Sequence, residues 1–337
     1  MKTTLFIATA MTALASSVAL AEIVVDGTLD AAYGDAIVVQ NTPTGFGDSN
    51  LGTIDYANGS ELANAHGVIA DGYLYLFFGG NLESNFNKFE VFIDFQAGGQ
   101  NKLRGDNPDV DFNGLNRMGN DGSDNGLTFD EGFEADYYVT TTCGGGPFST
   151  FANTAQILTK GGGVGEFIGS GGAGSQNLQG SNGTIIGINN SNTAGVTTRS
   201  GDGFGVSTGV EIAIPLNLLV GYDGESDVKV TAFVNGGGHD FLSNQVAAPI
   251  GGGGNLGEPR LVNFAAISGD QFFVVPGPNG GGGGGCTGDV NGDLAVDASD
   301  LAFVLGAWGT PDVDLNDDGT TDATDLAIVL GAWGACP

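Results

Sequence analysis

The residue types most able to do chemistry in this sequence are aspartates, and near its end they are written twice in one register. Asp289, Asn291, Asp293, Asp297 and Asp300 precede the run Leu301-Ala302-Phe303-Val304-Leu305-Gly306-Ala307-Trp308-Gly309. Asp314, Asn316, Asp318, Asp322 and Asp325 precede a nearly identical run at 326–334, every position displaced by 25. Oxygen side chains at loop positions 1, 3, 5, 9 and 12, with a backbone carbonyl at position 7, are the donor set a hard cation such as calcium requires. The carbonyls here belong to Ala295 and Thr320. Each loop gathers four carboxylates, and no Lys or Arg occurs anywhere in 286–337, so closing either loop without a cation meets like-charge repulsion. An acidic solvated tail would carry the same charge. Such a tail has no reason to repeat its aspartates in register or to follow each set with the same aliphatic run ending in Trp. Two calcium ions are the expected cofactors.

On these repeats the segment resembles a dockerin-type module, the paired calcium-loop and helix unit of polysaccharide-degrading assemblies. The resemblance covers about fifty residues, 286–337. Loops ending in Asp300 and Asp325, rather than the Glu of an ordinary EF-hand, suit that family. It implies a small α-helical calcium module and a partner of the cohesin kind or another cell-surface protein. Two features depart from the pattern. Leu294 stands at position 6, where glycine normally permits the sharp turn, whereas Gly319 keeps that glycine in the second loop. The helix positions where cohesin-binding dockerins carry Lys or Arg hold Val304, Leu305, Val329 and Leu330, and the recognition positions hold Ala298, Ser299, Ala323 and Thr324. The calcium fold is therefore expected more firmly than a cohesin partner.

A short helix is expected after each loop, with Asp300 and Asp325 at its start, where the helix dipole favours negative charge, and Gly306 and Gly331 near its end. Leu301, Phe303, Val304, Leu305 and Trp308 leave almost no polar face, and neither do Leu326, Ile328, Val329, Leu330 and Trp333. A helix apolar all round must be covered on several sides. Either the two helices bury each other, or leftover apolar surface docks a partner. Cys286 and Cys336 bracket the unit, and a disulfide between them would contribute about 4 kcal/mol on the chain-entropy model. So small a core needs such staples.

The elements that precede this unit are set by the rest of the chain. Residues 1–21 read as a secretory signal peptide: Met1 and Lys2, an apolar run at 5–20, and the small-x-small site Ala19-Leu20-Ala21. Export into a compartment that permits disulfides and supplies calcium follows, extracellular or at the cell surface, with no transmembrane segment after cleavage. Thirty-nine acidic against nine basic residues give a formal charge of −30, which excludes nucleic acid and anionic membrane surfaces as partners. Only 14% of residues are charged, against roughly a quarter in ordinary soluble domains, so the surface is built of Gly, Asn, Ser and Thr. That composition suits an exported β-protein facing sugars. Cys143 is left over as a third cysteine, expected to be a buried thiol, since only His66 and His239 exist to activate it.

Residues 22–275 read as one mainly β domain. Strand signals recur at 23–25, 36–40, 67–70, 73–78, 89–95, 133–142, 151–159, 184–188, 204–214, 228–235 and 271–275. Apolar Phe133, Ala135, Tyr137 and Val139 alternate with Glu134, Asp136 and Tyr138, the pattern of a half-buried antiparallel strand. Helical periodicity is missing beyond one turn at 215–220. Many short strands between glycine-rich turns predict an antiparallel β-sandwich, jelly-roll-like. Residues 107–126 begin like a calcium loop at Asp109, Asp111, Asn113 and Gly114 but place Arg117 and Asn120 at positions 9 and 12, so a solvated loop is expected. Residues 161–181 read as a flexible Gly/Ser excursion, and Ser243-Asn244-Gln245 as a polar turn. Residues 276–285 form a Pro/Gly linker, spanning about 17 Å as a random coil.

Val25-Asp26-Gly27-Thr28-Leu29-Asp30 with Tyr33, and Gly209-Val210-Glu211-Ile212-Ala213-Ile214-Pro215, resemble the opening and late strands of family 9 carbohydrate-binding modules and DOMON-like domains. The resemblance implies a sandwich that grips polysaccharide, usually with paired tryptophans. Both tryptophans here, Trp308 and Trp333, lie in the repeats, leaving Tyr75, Phe77, Tyr137 and Tyr138 as substitutes, although strand aromatics more often fill cores. No nucleophile elbow, zinc helix or Cys-His pair is present. A glycosidase needs only two facing carboxylates. Glu90, Asp94, Glu134 and Asp136 could supply them, or could form the wet face of a sheet. A non-catalytic, calcium-stapled, glycan-binding secreted protein is the expected function. A polysaccharide hydrolase with a dockerin-type appendage and a structural surface protein are its rivals.

Overall fold

Alternation of side chains along extended segments dictates most of the architecture. The structure, a computed structural model, describes residues 22–42, 44–46, 59–174, 177–192, 205–248, 250–277, 288–290, 295–310, 313, 315–316 and 320–335. The residues read as a signal peptide (1–21) and residues 278–285 of the 276–285 linker lie outside these, as do Cys286 and Cys336. The described chain is mainly β, in two antiparallel sheets.

The strands are β1 Val38–Val39, β2 Glu61–Ala70, β3 Tyr73–Asn81, β4 Asn85–Asp94, β5 Tyr137–Gly144, β6 Ser149–Gln156 and β7 Gly165–Gly172. There follow β8 Leu178–Gln179, β9 Ile185–Ile188, β10 Gly209–Pro215, β11 Val228–Asn235, β12 Leu242–Val246 and β13 Phe273–Val275. One sheet runs β1-β2-β3-β10-β9-β8; the other runs β12-β11-β4-β5-β6-β7, with β13 also on β11. Within the second sheet, β4, β5 and β6 are consecutive and β11 returns beside β4, a Greek-key order.

Because successive side chains point to opposite faces, β4 sends Phe89, Val91 and Ile93 to one side and Lys88, Glu90 and Phe92 to the other. Leu74, Leu76 and Phe78 of β3, Val210, Ile212 and Ile214 of β10, the inward set of β4, and Val228, Val230, Ala232 and Val234 of β11 meet in one buried core. A second core lies on the other face of the second sheet. There Phe92, Tyr138 and Phe233 are covered by Leu103, Leu115, Met118, Phe129, Phe133 and Phe264 from the connecting segments.

The second core corrects several expectations. Phe133 and Ala135 pack in it while Tyr137 and Val139 point into the first core, because β5 starts only at Tyr137 and the chain bends before it. Residues 107–126 are not a solvated loop: they contain the helical turn α1 Gly114–Arg117 and bury Val110, Leu115 and Met118. The 161–181 excursion holds β7, an edge strand paired with β6 along its length. Ser243, Asn244 and Gln245 form a buried strand, with Gln245 bonded to Gln40 at 3.0 Å and to the Thr42 carbonyl at 3.1 Å. Residues 23–25, expected as a strand, are not one. Cys143 is buried in the first core, its Sγ 3.4 Å from the Leu82 carbonyl.

Beyond the sheets, β14 Ala295–Val296, α2 Ala298–Gly306, α3 Ala323–Gly331 and β15 Gly334–Ala335 complete the described elements. Among them no helix is long and apolar enough to cross a membrane.

Candidate functional site

Helices α2 and α3 begin at Ala298 and Ala323, two residues before the aspartates expected at their starts. Asp297 and Asp322 are the N-caps, each accepting the amide two residues on (Ser299 and Thr324) at 2.7 Å. Asp300 and Asp325 sit at N3 and close a capping box, one oxygen of each taking the N-cap amide at 2.8 and 2.7 Å. Their other oxygens take the amides of Val290 and Leu315 at 2.7 and 2.8 Å. Both carboxylates are 0% exposed. Each therefore fastens position 2 of its loop to the first turn of the following helix.

The two copies are joined by exchange. Ala295 and Val296 of the first loop pair with Ala335 and Gly334 beyond the second helix. Thr321 of the second loop bonds to Gly309 and Thr310 beyond the first helix, at 2.9 and 2.6 Å. Val296, Val304 and Val329 form the core, with Leu301 and Leu326 partly buried around it. Val304 and Val329 are 25 positions apart, so the repeat buries the same residue of each helix. Phe303, Leu305, Trp308, Leu330 and Trp333 remain exposed. The helices thus bury each other along one stripe only, and an apolar surface is left over.

Of the expected calcium ligands, Asp289, Ala295, Asp297, Asp300, Asn316, Thr320, Asp322 and Asp325 fall within the described residues, while Asn291, Asp293, Asp314 and Asp318 lie outside them. Among the described residues no group of three or more His, Cys, Asp or Glu side chains is placed to hold a metal ion. The donors that are described fit a hard cation by type: they are all carboxylate, amide or carbonyl oxygens, with no nitrogen or sulfur ligand among them. The pairs Asp297 with Asp300 and Asp322 with Asp325 stand next to each other at the helix N-termini. The residues that would hold two ions are those named from the spacing.

In the sheet region the expected carboxylates meet different fates. Glu90 is not on a wet face. It lies buried beneath the second core, with Oε1 2.6 Å from Nδ1 of His239 and Oε2 accepting the Tyr138 hydroxyl at 2.6 Å. His239 Nε2 lies 3.0 Å from Asp111 Oδ2, which Lys88 Nζ also reaches at 2.6 Å. Burial pushes Glu90 and Asp111 upward, but the His239 charge and the hydrogen bonds from His239, Tyr138 and Lys88 leave both carboxyls below their ordinary range. For His239, burial acts to lower the value, and the two carboxylates outweigh it and raise it to about 9. The result is a buried chain of alternating charge, Lys88–Asp111–His239–Glu90, that sums to zero. Gly114 makes room for it, since a Cβ there would strike the imidazole of His239.

Asp136 accepts the amides of Phe95 and Gln96 at 3.0 and 3.1 Å, and burial pushes it up to about 6. Asp94 and Glu134 do share an open cleft, of about 800 Å³, with Glu131, Asp227 and Lys229. Asp94 Oδ2, however, accepts the Glu134 amide at 3.1 Å and faces Lys229 at 3.6 Å, so it is committed to the fold. Among the proposed sugar-gripping aromatics, Phe77, Tyr137 and Tyr138 are core residues, and Tyr75 lies half-buried against Tyr73.

The two short motifs at 25–33 and 209–215 come together through one carboxylate. Glu211 on β10 accepts the amides of Asp26 and Gly27 at 2.8 and 3.0 Å and the Tyr33 hydroxyl at 2.8 Å. Burial pushes Glu211 up to about 7 against these donors. Its work is to pin the N-terminal segment to the first sheet. Spacing along the chain gave no sign of the His239 network, which joins residues 149 positions apart. The one available signal was Lys88 and Glu90, two charges on one face of a Phe-rich strand.

Family models, curated proteins and solved structures offer no match to this chain.

Proposed function

We propose that this is a secreted, non-catalytic, two-module protein. Residues 286–337 form a dockerin-type module stapled by two calcium ions and the Cys286–Cys336 disulfide, and the two-sheet region is a jelly-roll-like β-sandwich that binds neutral polysaccharide or cell-envelope glycan. The Pro/Gly linker at 276–285 lets the modules act independently.

The observation that carries this reading is the equivalence of the two loop–helix copies. The same two carboxyl oxygens take the same two amides at positions 25 apart, in a segment with ten Asp and no Lys, Arg or His. A charge arrangement reproduced so closely, without any cationic side chain to balance it, calls for a cation from solution. The sandwich reading is supported by the single core shared between the sheets and by the Greek-key strand order. The exposed Phe303, Leu305, Trp308, Leu330 and Trp333 supply surface for a protein partner, cohesin-like or of the cell surface. Catalysis is disfavoured because Glu90, Asp94 and Asp136 are each held by protein donors.

Glycan-array binding of the full chain in calcium, with reducing ends assayed in parallel, tests the proposal. Retention on neutral glycans with no released sugar is expected. Released reducing ends would favour the hydrolase, and calcium-driven self-assembly without glycan affinity would favour a structural surface protein.

A further inference from the structure

Above the charge network the outer face of the second sheet is not fully covered. A cavity of about 600 Å³ opens there, between strands β4 to β7 and the loop around Asp111. We infer that this cleft is the sugar site of the sandwich and takes a neutral pyranose unit, an inference that rests on the glycan-binding reading above.

Its rim is unusual in a way that stability does not explain. Phe112 is fully exposed, and Phe86 and Phe167 are 44% and 58% exposed. Among the described residues, seven that are not glycine have φ in the left-handed region. Five are Asp, Asn or His, which visit that region readily. The other two are Phe86 at 71° and Phe112 at 56°, both on this rim. Each holds a bulky side chain in a conformation costing about 1–2 kcal/mol, and Phe112 gains no packing in return. Strain of this kind concentrates where a ligand supplies the missing contact.

The floor supplies the polar half. Asn153 of β6 is 95% buried and lines the cleft, yet its side-chain amide has no hydrogen-bond partner among the described residues. Asp111 spends Oδ2 on Lys88 and His239, while its Oδ1 has no protein donor. A hydrocarbon ligand would seal the Asn153 amide away unsatisfied, at a cost of about 1–3 kcal/mol. An anionic ligand would be repelled by Asp109, the one charge on the lining outside the network, because Lys88, Asp111, His239 and Glu90 cancel. A pyranose meets both demands: a C–H face lies against phenyl rings, and adjacent hydroxyls reach Asp111 and Asn153. The volume lies within the range of about 300–1,000 Å³ usual for small-molecule sites.

The test is calorimetric titration of the full chain, in calcium buffer, with neutral hexasaccharides of β-1,4-glucose, β-1,4-mannose and β-1,4-xylose, and with benzyl alcohol as an apolar probe. Wild type should bind at least one hexasaccharide. Phe112→Ala and Asn153→Ala should each weaken it by about tenfold or more, and Phe112→Trp should retain it. Because Phe112 touches solvent alone, its Ala variant should melt like wild type and remain informative if Asn153→Ala misfolds. Hexasaccharide binding that both variants leave unchanged would overturn this site while leaving the glycan reading intact. No hexasaccharide binding would overturn both. Benzyl alcohol binding that Phe112→Ala abolishes, without any hexasaccharide binding, would make the cleft an apolar site and overturn the inference.

Discussion

In the sheet region Asp111 is part-buried and Glu90 beneath it fully buried, with His239 within 3.0 Å of both and Lys88 2.6 Å from Asp111. Asp300 and Asp325 are buried as completely, but the chain from 286 to 337 contains no Lys, Arg or His at all. Both regions remove carboxylates from water, which is expensive unless charge or hydrogen bonds compensate. The sheet region carries its counter-ions in its own sequence and is complete as synthesised. The repeat takes amides for its carboxylates, and on the calcium proposal the balancing charge comes from outside. Buried acid would thus mean two different things in one chain: a closed internal network in the first case and, on the calcium proposal, dependence on an ion in the second.

Chelation should separate the two regions most sharply. If two calcium ions are present at about a thousandfold over their dissociation constants, each contributes about 4 kcal/mol to the repeat. Removing them should abolish the helical circular dichroism of α2 and α3 and leave the thermal transition of the sheets in place. A shared loss would break the comparison.

The reciprocal change is Glu90→Gln, which leaves the His239 charge buried beside a neutral amide. Breaking a buried pair costs about 3–5 kcal/mol, so differential scanning calorimetry should show the sheet transition falling by about 10 °C. Calcium titration of the same variant should match wild type.

Alkaline pH reads the same distinction without mutation. His239 is raised to about 9 in the folded protein, against about 6.5 in an unfolded chain. Its contribution is therefore fully present below about pH 6.5 and is lost as pH rises through about 9. The melting temperature of the sheets should fall across that window in wild type and much less in His239→Gln, where Glu211, raised to about 7, still titrates at the lower end. The calcium-loaded repeat, with no titrating base, should not follow. At acid pH the order reverses, since its aspartates must be ionised to hold calcium.

The smallest effect belongs to Leu294→Gly. If position 6 takes the sharp turn expected from the loop pattern, glycine there is worth about 0.5–1 kcal/mol, so the two calcium affinities should approach each other by about fivefold or less.

What could be read from the residues alone follows the same division. The two helices of the repeat were legible because each demand is local: cap and apolar stripe fall within the thirteen residues 297–309, and the second copy repeats them. Val304 and Val329 emerge as equivalent core residues for that reason. The alternating strands β3, β4, β10 and β11 were legible from period-2 patterning. β7 was hidden because Gly165, Gly169 and Gly171 carry no side chain to reveal alternation, and β12 because Ser243, Asn244 and Gln245 look like a turn until Gln40 and Thr42, some two hundred positions earlier, satisfy them. The His239 network and the Asn153 cleft were hidden for a related reason. They join β4, β5, β6, the Asp111 loop and the segment before β12, and no spacing along the chain encodes that meeting.

The most direct test of the calcium claim is isothermal titration of the decalcified full chain, followed by circular dichroism. Two ions bound per molecule, with helix gained as they bind, is the predicted result. A flat titration with the helical signal already present before calcium is added would contradict it.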